Sequence, residues 1–148
     1  MIRMNKLAVV WTVLVLSSYG LVGCRRTPDE AKVRDAISSV AKAAEAGAAG
    51  DVVEPLAEDF QGNAGELDRR QLAGMVRMLA LRKEHVGVTM GPVSIERRSE
   101  RIVASLTVTL TSGGNLLPDD LGVYKVVTGW RKDGSDWRCY TATWTRTI

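Results

Sequence analysis

From residue 28 to about 82 the apolar positions recur with helical spacing, and from His85 onward they alternate with polar ones. Thr27-Pro28-Asp29-Glu30 opens the first stretch with a threonine able to cap, a proline at the first turn and two acids at the positive helix end. Val33, Ile37, Val40, Ala41, Ala44 and Ala48 follow on one stripe until Gly47 and Gly50 weaken it, which predicts a helix over about 28–48. Asp51-Val52-Val53-Glu54 repeats the start signal for a short helix carrying Leu56, before Glu58-Asp59-Phe60 and the turn-rich Gln61-Gly62-Asn63-Ala64-Gly65. Asp68 and Gln71 form a second capping box, with Leu67 placed to staple onto Leu72. The helix they open carries Leu72, Met75, Val76, Leu79 and Ala80 on its apolar face.

Val86, Val88 and Met90 then alternate up to Gly91-Pro92, where a proline inside a strand marks a bulge or a sheet edge. Val93 and Ile95 continue that strand to a turn at 97–100. In the next, Ile102, Ala104, Leu106, Val108 and Leu110 share one face, and Val103, Ser105, Thr107, Thr109 and Thr111 the other. This is the pattern of a half-buried antiparallel strand. A loop around Gly113-Gly114-Asn115 and Pro118 leads to a third strand over 121–132, and Asp133-Gly134 turns into a fourth over 136–147. Helices followed by a meander predict an α+β domain over 28–148, with three N-terminal helices packed on the concave side of a four-strand antiparallel sheet.

Ahead of this domain, Arg3 and Lys6 precede an apolar run over 7–16 broken only by Thr12, a basic start and an apolar core of export-signal length. Ser17-Ser18-Tyr19-Gly20 then leads into Leu21-Val22-Gly23-Cys24. This tetrapeptide resembles the lipobox of bacterial lipoproteins. The resemblance implies that 1–23 is a removable signal peptide, that Cys24 becomes the acylated first residue, and that 24–27 is a short tether. A membrane-spanning anchor is the competing reading, since 7–23 lies at the lower edge of what crosses roughly 30 Å of hydrocarbon. A span has no need of a cysteine at that point. The location implied is the periplasmic face of the cell envelope, and Arg25 after the cysteine favours the outer over the inner membrane by likeness to enterobacterial lipoproteins.

Lipidation also changes the cysteine count. Two cysteines in an oxidising compartment suggest a disulfide, but acylation of Cys24 leaves Cys139 alone. Among Trp137, Tyr140 and Trp144 it reads as a small buried hydrophobe, with an intermolecular disulfide as the alternative. Loss of Arg3 and Lys6 takes the 20 basic residues to 18 against 17 acidic, a formal charge of +1, which makes no global electrostatic case for nucleic acid. Arg25 and Arg26 are suited either to anionic head groups or to a solvated tether.

The order of helices and sheet resembles the nuclear transport factor 2-like superfamily, which includes ketosteroid isomerases, polyketide cyclases and non-enzymatic binding proteins. The residues that carry the likeness are Asp59-Phe60 with Gly62, Tyr124-Lys125-Val126 leading into Gly129-Trp130-Arg131-Lys132, and Asp136-Trp137-Arg138 with its strand to Trp144. They span about 28–146. The resemblance implies a strongly bent, cone-like sheet around a central cavity. In the isomerases a carboxylate base and acidic donors stabilise an enolate oxygen. Here Gln61 and Asn63 stand in the region of that base, amides cannot take its proton, and the first helix holds no tyrosine donor.

The remaining chemistry is sparse. His85 is the only histidine, and it reads as a solvent-facing or capping residue. With one unlipidated cysteine beside it, no metal-ligand spacing exists. Asp119-Asp120 reads as a pair of solvated loop acids, a calcium contact being the sharper alternative. Tyr124, Trp130, Tyr140 and their neighbours suit either sheet core or the lining of a ligand cavity.

The reading favoured is a membrane-tethered, non-catalytic binding domain with no cofactor. Asp59, Phe60, Tyr124, Trp130 and Tyr140 are its candidate binding residues, none of them catalytic. Its expected partners are the bilayer through acylated Cys24, a small hydrophobic ligand or an envelope protein, and a second copy of the chain as a homodimer. The alternative is an envelope enzyme of cyclase or isomerase type, working by proton transfer in the cone.

Overall fold

The computed structural model describes residues 27–82, 84–112 and 122–148. The expected leader, Cys24 and the tether up to residue 26 lie outside the described residues, as do Gly113-Gly114-Asn115 and Asp119-Asp120.

Helix α1 spans Pro28–Ala46, and the Thr27 hydroxyl accepts from the Glu30 backbone N–H at 3.4 Å. Its buried stripe centres on Val33, Ile37 and Ala43, with Val40, Ala44 and Ala48 packed alongside. The first turn is tied to the far end of the chain. Asp29 accepts from the Trp137 indole at 3.0 Å and pairs with Lys132 and Arg97, and Lys32 donates to the Ser135 carbonyl.

Helix α2, Ala49–Val53, is shorter than expected and starts without a side-chain cap. Leu56 is not helical. It begins strand β1, Leu56–Gly62, which takes in Glu58-Asp59-Phe60 and the first two residues, Gln61-Gly62, of the stretch expected as a turn. Pro55 lacks the N–H a continuing helix would donate, and its carbonyl instead accepts from Cys139 N at 2.9 Å. After a 3-10 turn at Asn63–Gly65 and the short β2, Leu67–Asp68, helix α3 runs over Arg69–Leu81. Its capping box is reciprocal: Asp68 accepts from Gln71 N at 2.7 Å and Gln71 from Asp68 N at 2.8 Å.

The other strands are β3 (Val86–Met90), β4 (Ser94–Arg98), β5 (Arg101–Ser112), β6 (Gly122–Asp133) and β7 (Asp136–Arg146). Among the described residues they form one sheet of seven strands in the order β2-β1-β7-β6-β5-β3, with β4 also beside β5. The architecture is α+β with three α-helices, as expected, but the sheet is large, mixed and uncurled where a strongly bent, all-antiparallel sheet of four strands was expected. Two causes account for the count. The strand expected to run through Pro92 is broken there into β3 and β4, both on the outer edge of β5, because Pro92 has no N–H to give a ladder. And β1, which carries the two-residue β2 on its outer edge, pairs parallel with the last strand, Gln61 facing Thr141.

The core lies between the helices and the sheet face bearing Ile102, Ala104, Leu106, Trp130, Cys139 and Ala142. A register shift between Gly129 and Trp130 puts Trp130 opposite Cys139 and Gly129 opposite Thr141, so Tyr140 is the extra residue of a bulge.

Candidate functional site

At the end of the sheet far from the first turn of α1, α3 does not close down on the strands. A cavity of about 750 Å³ remains between them, within the usual size range of small-molecule pockets. Leu67, Leu72, Met75, Met78 and Leu79 form its helix side. Across it stand Val86 of β3, Val108 and Leu110 of β5, Tyr124 and Val126 of β6, and Trp144 of β7. Among the described residues that line it, none carries an acidic, basic or histidine side chain.

Local sequence explains the opening. The α3 residues nearest the core are the small or medium Ala73 and Val76, while Met75 and Met78 stay 55% and 50% exposed. Met75, expected on the buried face, thus borders the opening instead. Methionine adapts to irregular space, and two on adjacent turns make a deformable rim. Trp144 is held from behind: its backbone N–H donates to the Asn63 side-chain oxygen at 3.0 Å. A Cβ on Gly62 would stand 2.7 Å from its ring, so glycine is what lets the indole lie against β1. Asn63 thus fixes the backbone of one wall of the cavity.

The five residues singled out in the sequence fall in three places. Tyr124 lines the cavity. Phe60 and Trp130 are 4% and 2% exposed in the core, and the Trp130 indole donates to the Thr128 hydroxyl at 2.8 Å. Asp59 and Tyr140 lie on the opposite face of the sheet. There the Arg131 guanidinium grips Asp59 through two contacts of 2.5 and 3.1 Å and holds its carboxyl below the ordinary value. Arg131 and Arg101 flank the Tyr140 ring at 5.5 and 5.0 Å. Asp59 is therefore an ion-pair partner away from the cavity, as suits an ionised surface acid.

His85 is exposed between α3 and β3. Cys139 is buried, and burial pushes its thiol up to about 12. Among the described residues no group of three or more His, Cys, Asp or Glu is placed to hold a metal ion. A second, polar hollow beside α3 is lined by Arg69, Arg70 and Arg77 with Glu58 and Asp68. Its charges are committed in part, since Arg69 pairs with Glu58 at 3.6 Å and donates to the Val53 carbonyl.

Of the aromatics weighed in the sequence, Tyr124 and Trp144 line this cavity, while Met75, Met78 and Asn63, which border or brace it, were not among the candidate binding residues. The available signal was the breadth of the apolar arc on α3, wider than a single buried stripe requires.

Neither a protein-family model nor a curated protein sequence matches the chain. Solved structures do match in shape. A nuclear transport factor 2-like protein of unknown function from Pseudomonas putida has a TM-score of 0.68 at 14% identity, covering 83% of this chain and 89% of its own. A nuclear transport factor 2-like protein with a cystatin-like fold from Novosphingobium aromaticivorans has a TM-score of 0.65 at 17% identity, covering 97% and 91%. One from Cytophaga hutchinsonii has a TM-score of 0.62 at 13% identity, covering 78% and 95%. At these identities the likeness is one of fold, and a fold that hosts many activities does not choose among them.

Proposed function

We propose that this protein, which has the nuclear transport factor 2-like fold, is a non-catalytic binding protein of the bacterial cell envelope. It holds a small hydrophobic molecule between α3 and the sheet and is tethered through acylated Cys24 after removal of residues 1–23. The observation that carries the reading is the lining itself: about 750 Å³ bounded by aliphatic, methionine and aromatic side chains, with Tyr124 as the polar aromatic among them. Such a site gains affinity from apolar area removed from water. Proton transfer needs a positioned acid or base at the reacting atom, and Asp59, the one acid among the candidate residues, is paired on the other face of the sheet.

Anchoring is supported by the basic start, the apolar run and Leu21-Val22-Gly23-Cys24. A tether ending at Thr27 leads to the first turn of α1, beside the β6–β7 hairpin. The cavity would then sit at the end of the domain away from the bilayer, with the outer membrane the favoured one.

The test uses Nile red, a neutral apolar dye, as probe. Filling the cavity with Val126→Trp should weaken dye binding at least tenfold, while Asp59→Asn leaves it unchanged. Equal binding by the filled variant sinks the cavity reading, and a turnover that Asp59→Asn abolishes with folding intact would promote the enzyme. For the anchor, mass spectrometry of protein from a Gram-negative host should find an acylated Cys24 at the N-terminus. An intact Met1 on soluble protein refutes it.

A further inference from the structure

Most of the cavity lining is aliphatic, but at its mouth stand two thioethers. Leu72 and Leu79 lie seven residues apart on α3 and so within about 20° of one line, Met75 is about 60° round the helix from Leu72, and Met78 about 60° further. The exposures show which way that turn leads. The two leucines are half-buried, whereas Met75 and Met78 are 55% and 50% exposed. Three apart on one helix, the methionines are neighbours on its surface, each meeting solvent and each lining apolar space.

The other sulfur atoms of the described residues are shielded. Met90 is half-buried and packs against the core. Cys139 is 2% exposed, and burial keeps it as the unreactive thiol. An oxidant that transfers oxygen to sulfur therefore meets Met75 and Met78 first, because susceptibility follows exposure.

Building on the binding reading, we propose that Met75 and Met78 form a reversible oxidation site, with a peroxide as co-reactant, whose modification empties the cavity. A lone pair on Sδ takes one oxygen of hydrogen peroxide: the O–O bond breaks, an S–O bond forms and water leaves. Sulfur loses two electrons and the peroxide gains them. The product, methionine sulfoxide, is polar where the thioether was apolar. Its oxygen is an acceptor that has to keep its water, since the aliphatic side chains of the lining offer no donor. A hydrophobic molecule entering the mouth would strip that water away, so its affinity falls. A methionine sulfoxide reductase reverses the step: two thiols join as a disulfide, giving up two electrons, and the oxygen leaves as water. Leucine would give the reduced mouth much the same apolar contact, but only a thioether can be switched in this way.

The experiment treats the purified protein with hydrogen peroxide, removes the peroxide, and then reads the chemistry and the binding separately. Peptide mass spectrometry should find Met75 and Met78 as sulfoxides while Met90 is still largely a thioether. Nile red titration should find affinity reduced about tenfold, the size expected for an acceptor that loses its water. The far-UV circular dichroism spectrum should be that of the untreated protein, and a methionine sulfoxide reductase with a thiol reductant should restore dye affinity. Met75→Leu combined with Met78→Leu should show one dye affinity before and after peroxide, whatever that affinity is. Oxidation of Met90 as fast as the pair overturns the site. Unchanged dye affinity with both sulfoxides in place, an equal loss in the double leucine variant, or loss of the folded spectrum on oxidation overturns the switch while leaving the cavity reading standing. Failure of the untreated protein to bind the dye overturns both.

Discussion

Replacing Gly62 with alanine perturbs the cavity through its back wall, without replacing a lining side chain. The new methyl would lie 2.7 Å from Cη2 and 2.9 Å from Cζ3 of Trp144, and 3.3 Å from Cβ of Leu67. Carbon atoms in good contact are about 3.5–4.0 Å apart, so the indole must retreat by about 1 Å. Behind it is the cavity. In a filled core such overpacking costs about 1–3 kcal/mol. Here the ring has room, and at φ −100° the substitution restrains the unfolded chain at no backbone cost, a gain of about 0.4–1 kcal/mol. The expected net change in stability is a loss of no more than about 1 kcal/mol. Ligand affinity should respond more strongly, because an indole edge pushed into the binding space removes room the ligand uses. A tenfold loss, about 1.4 kcal/mol, is the expected size. Urea unfolding gives the first number and titration with Nile red the second. Unchanged affinity together with a stability loss above about 3 kcal/mol would mean that the ring has nowhere to go, and the argument for an open cavity behind Trp144 would fail.

Three further outcomes follow from groups away from the cavity. Trp130→Ala should cost about 3–5 kcal/mol in a urea titration, because Trp130 is nearly fully buried in the core; a loss under about 1.5 kcal/mol would contradict that placement. The Trp137 indole bond, helped by Arg97 and Lys132, holds the Asp29 carboxyl below its ordinary 3.8. Its contribution to stability is thus complete above that value and disappears as pH falls through the lowered one. NMR titration should find Asp29 below 3.8, moving back up in Trp137→Phe, and a wild-type value at or above 3.8 refutes the pairing. Cys139, with its thiol near 12 and 2% exposed, should resist iodoacetamide at pH 8 until the domain unfolds; rapid labelling of the native protein would show it open.

What could be read from the chain was what its local chemistry decides. The caps at Thr27 and Asp68 are made by side chains three residues from their partners, and both helices start where those signals stand. Strand β5 keeps a strict period of two, and its buried residues Ile102, Ala104 and Leu106 are on the face that alternation assigns. Strand β1 was illegible for the opposite reason. Its pairing with β7 shifts register between Leu56 and Gln61, so Leu56, Ala57, Phe60 and Gly62 are buried without alternating. The same loss of local signal affected the site. Tyr124 could be singled out by its chemistry, but Asp59 was a candidate only for its place beside Phe60, and nothing short of the fold shows Arg131 arriving to neutralise it. Met75 looked like core because a helical wheel cannot tell a face that meets a sheet from one that stands off it.

The parallel pairing of β1 with β7 also bears on when this protein becomes competent during its synthesis. Everything up to α3 emerges first, yet β1 has only the two-residue β2 to pair with until the final strand exists, since Gln61 and Gly62 await Thr141 and Ala142. Contacts between chain segments so far apart close late, because the entropy of the intervening loop is lost before they form. The β3–β7 meander can assemble from neighbouring strands, whereas the segment carrying Gly62 and Asn63 is locked only when the C-terminal strand docks. Trp144, which both of those residues hold, belongs to that strand. A chain lacking β7 would keep much of its sheet and lack a binding wall, so docking of β7 and formation of the cavity are the same event.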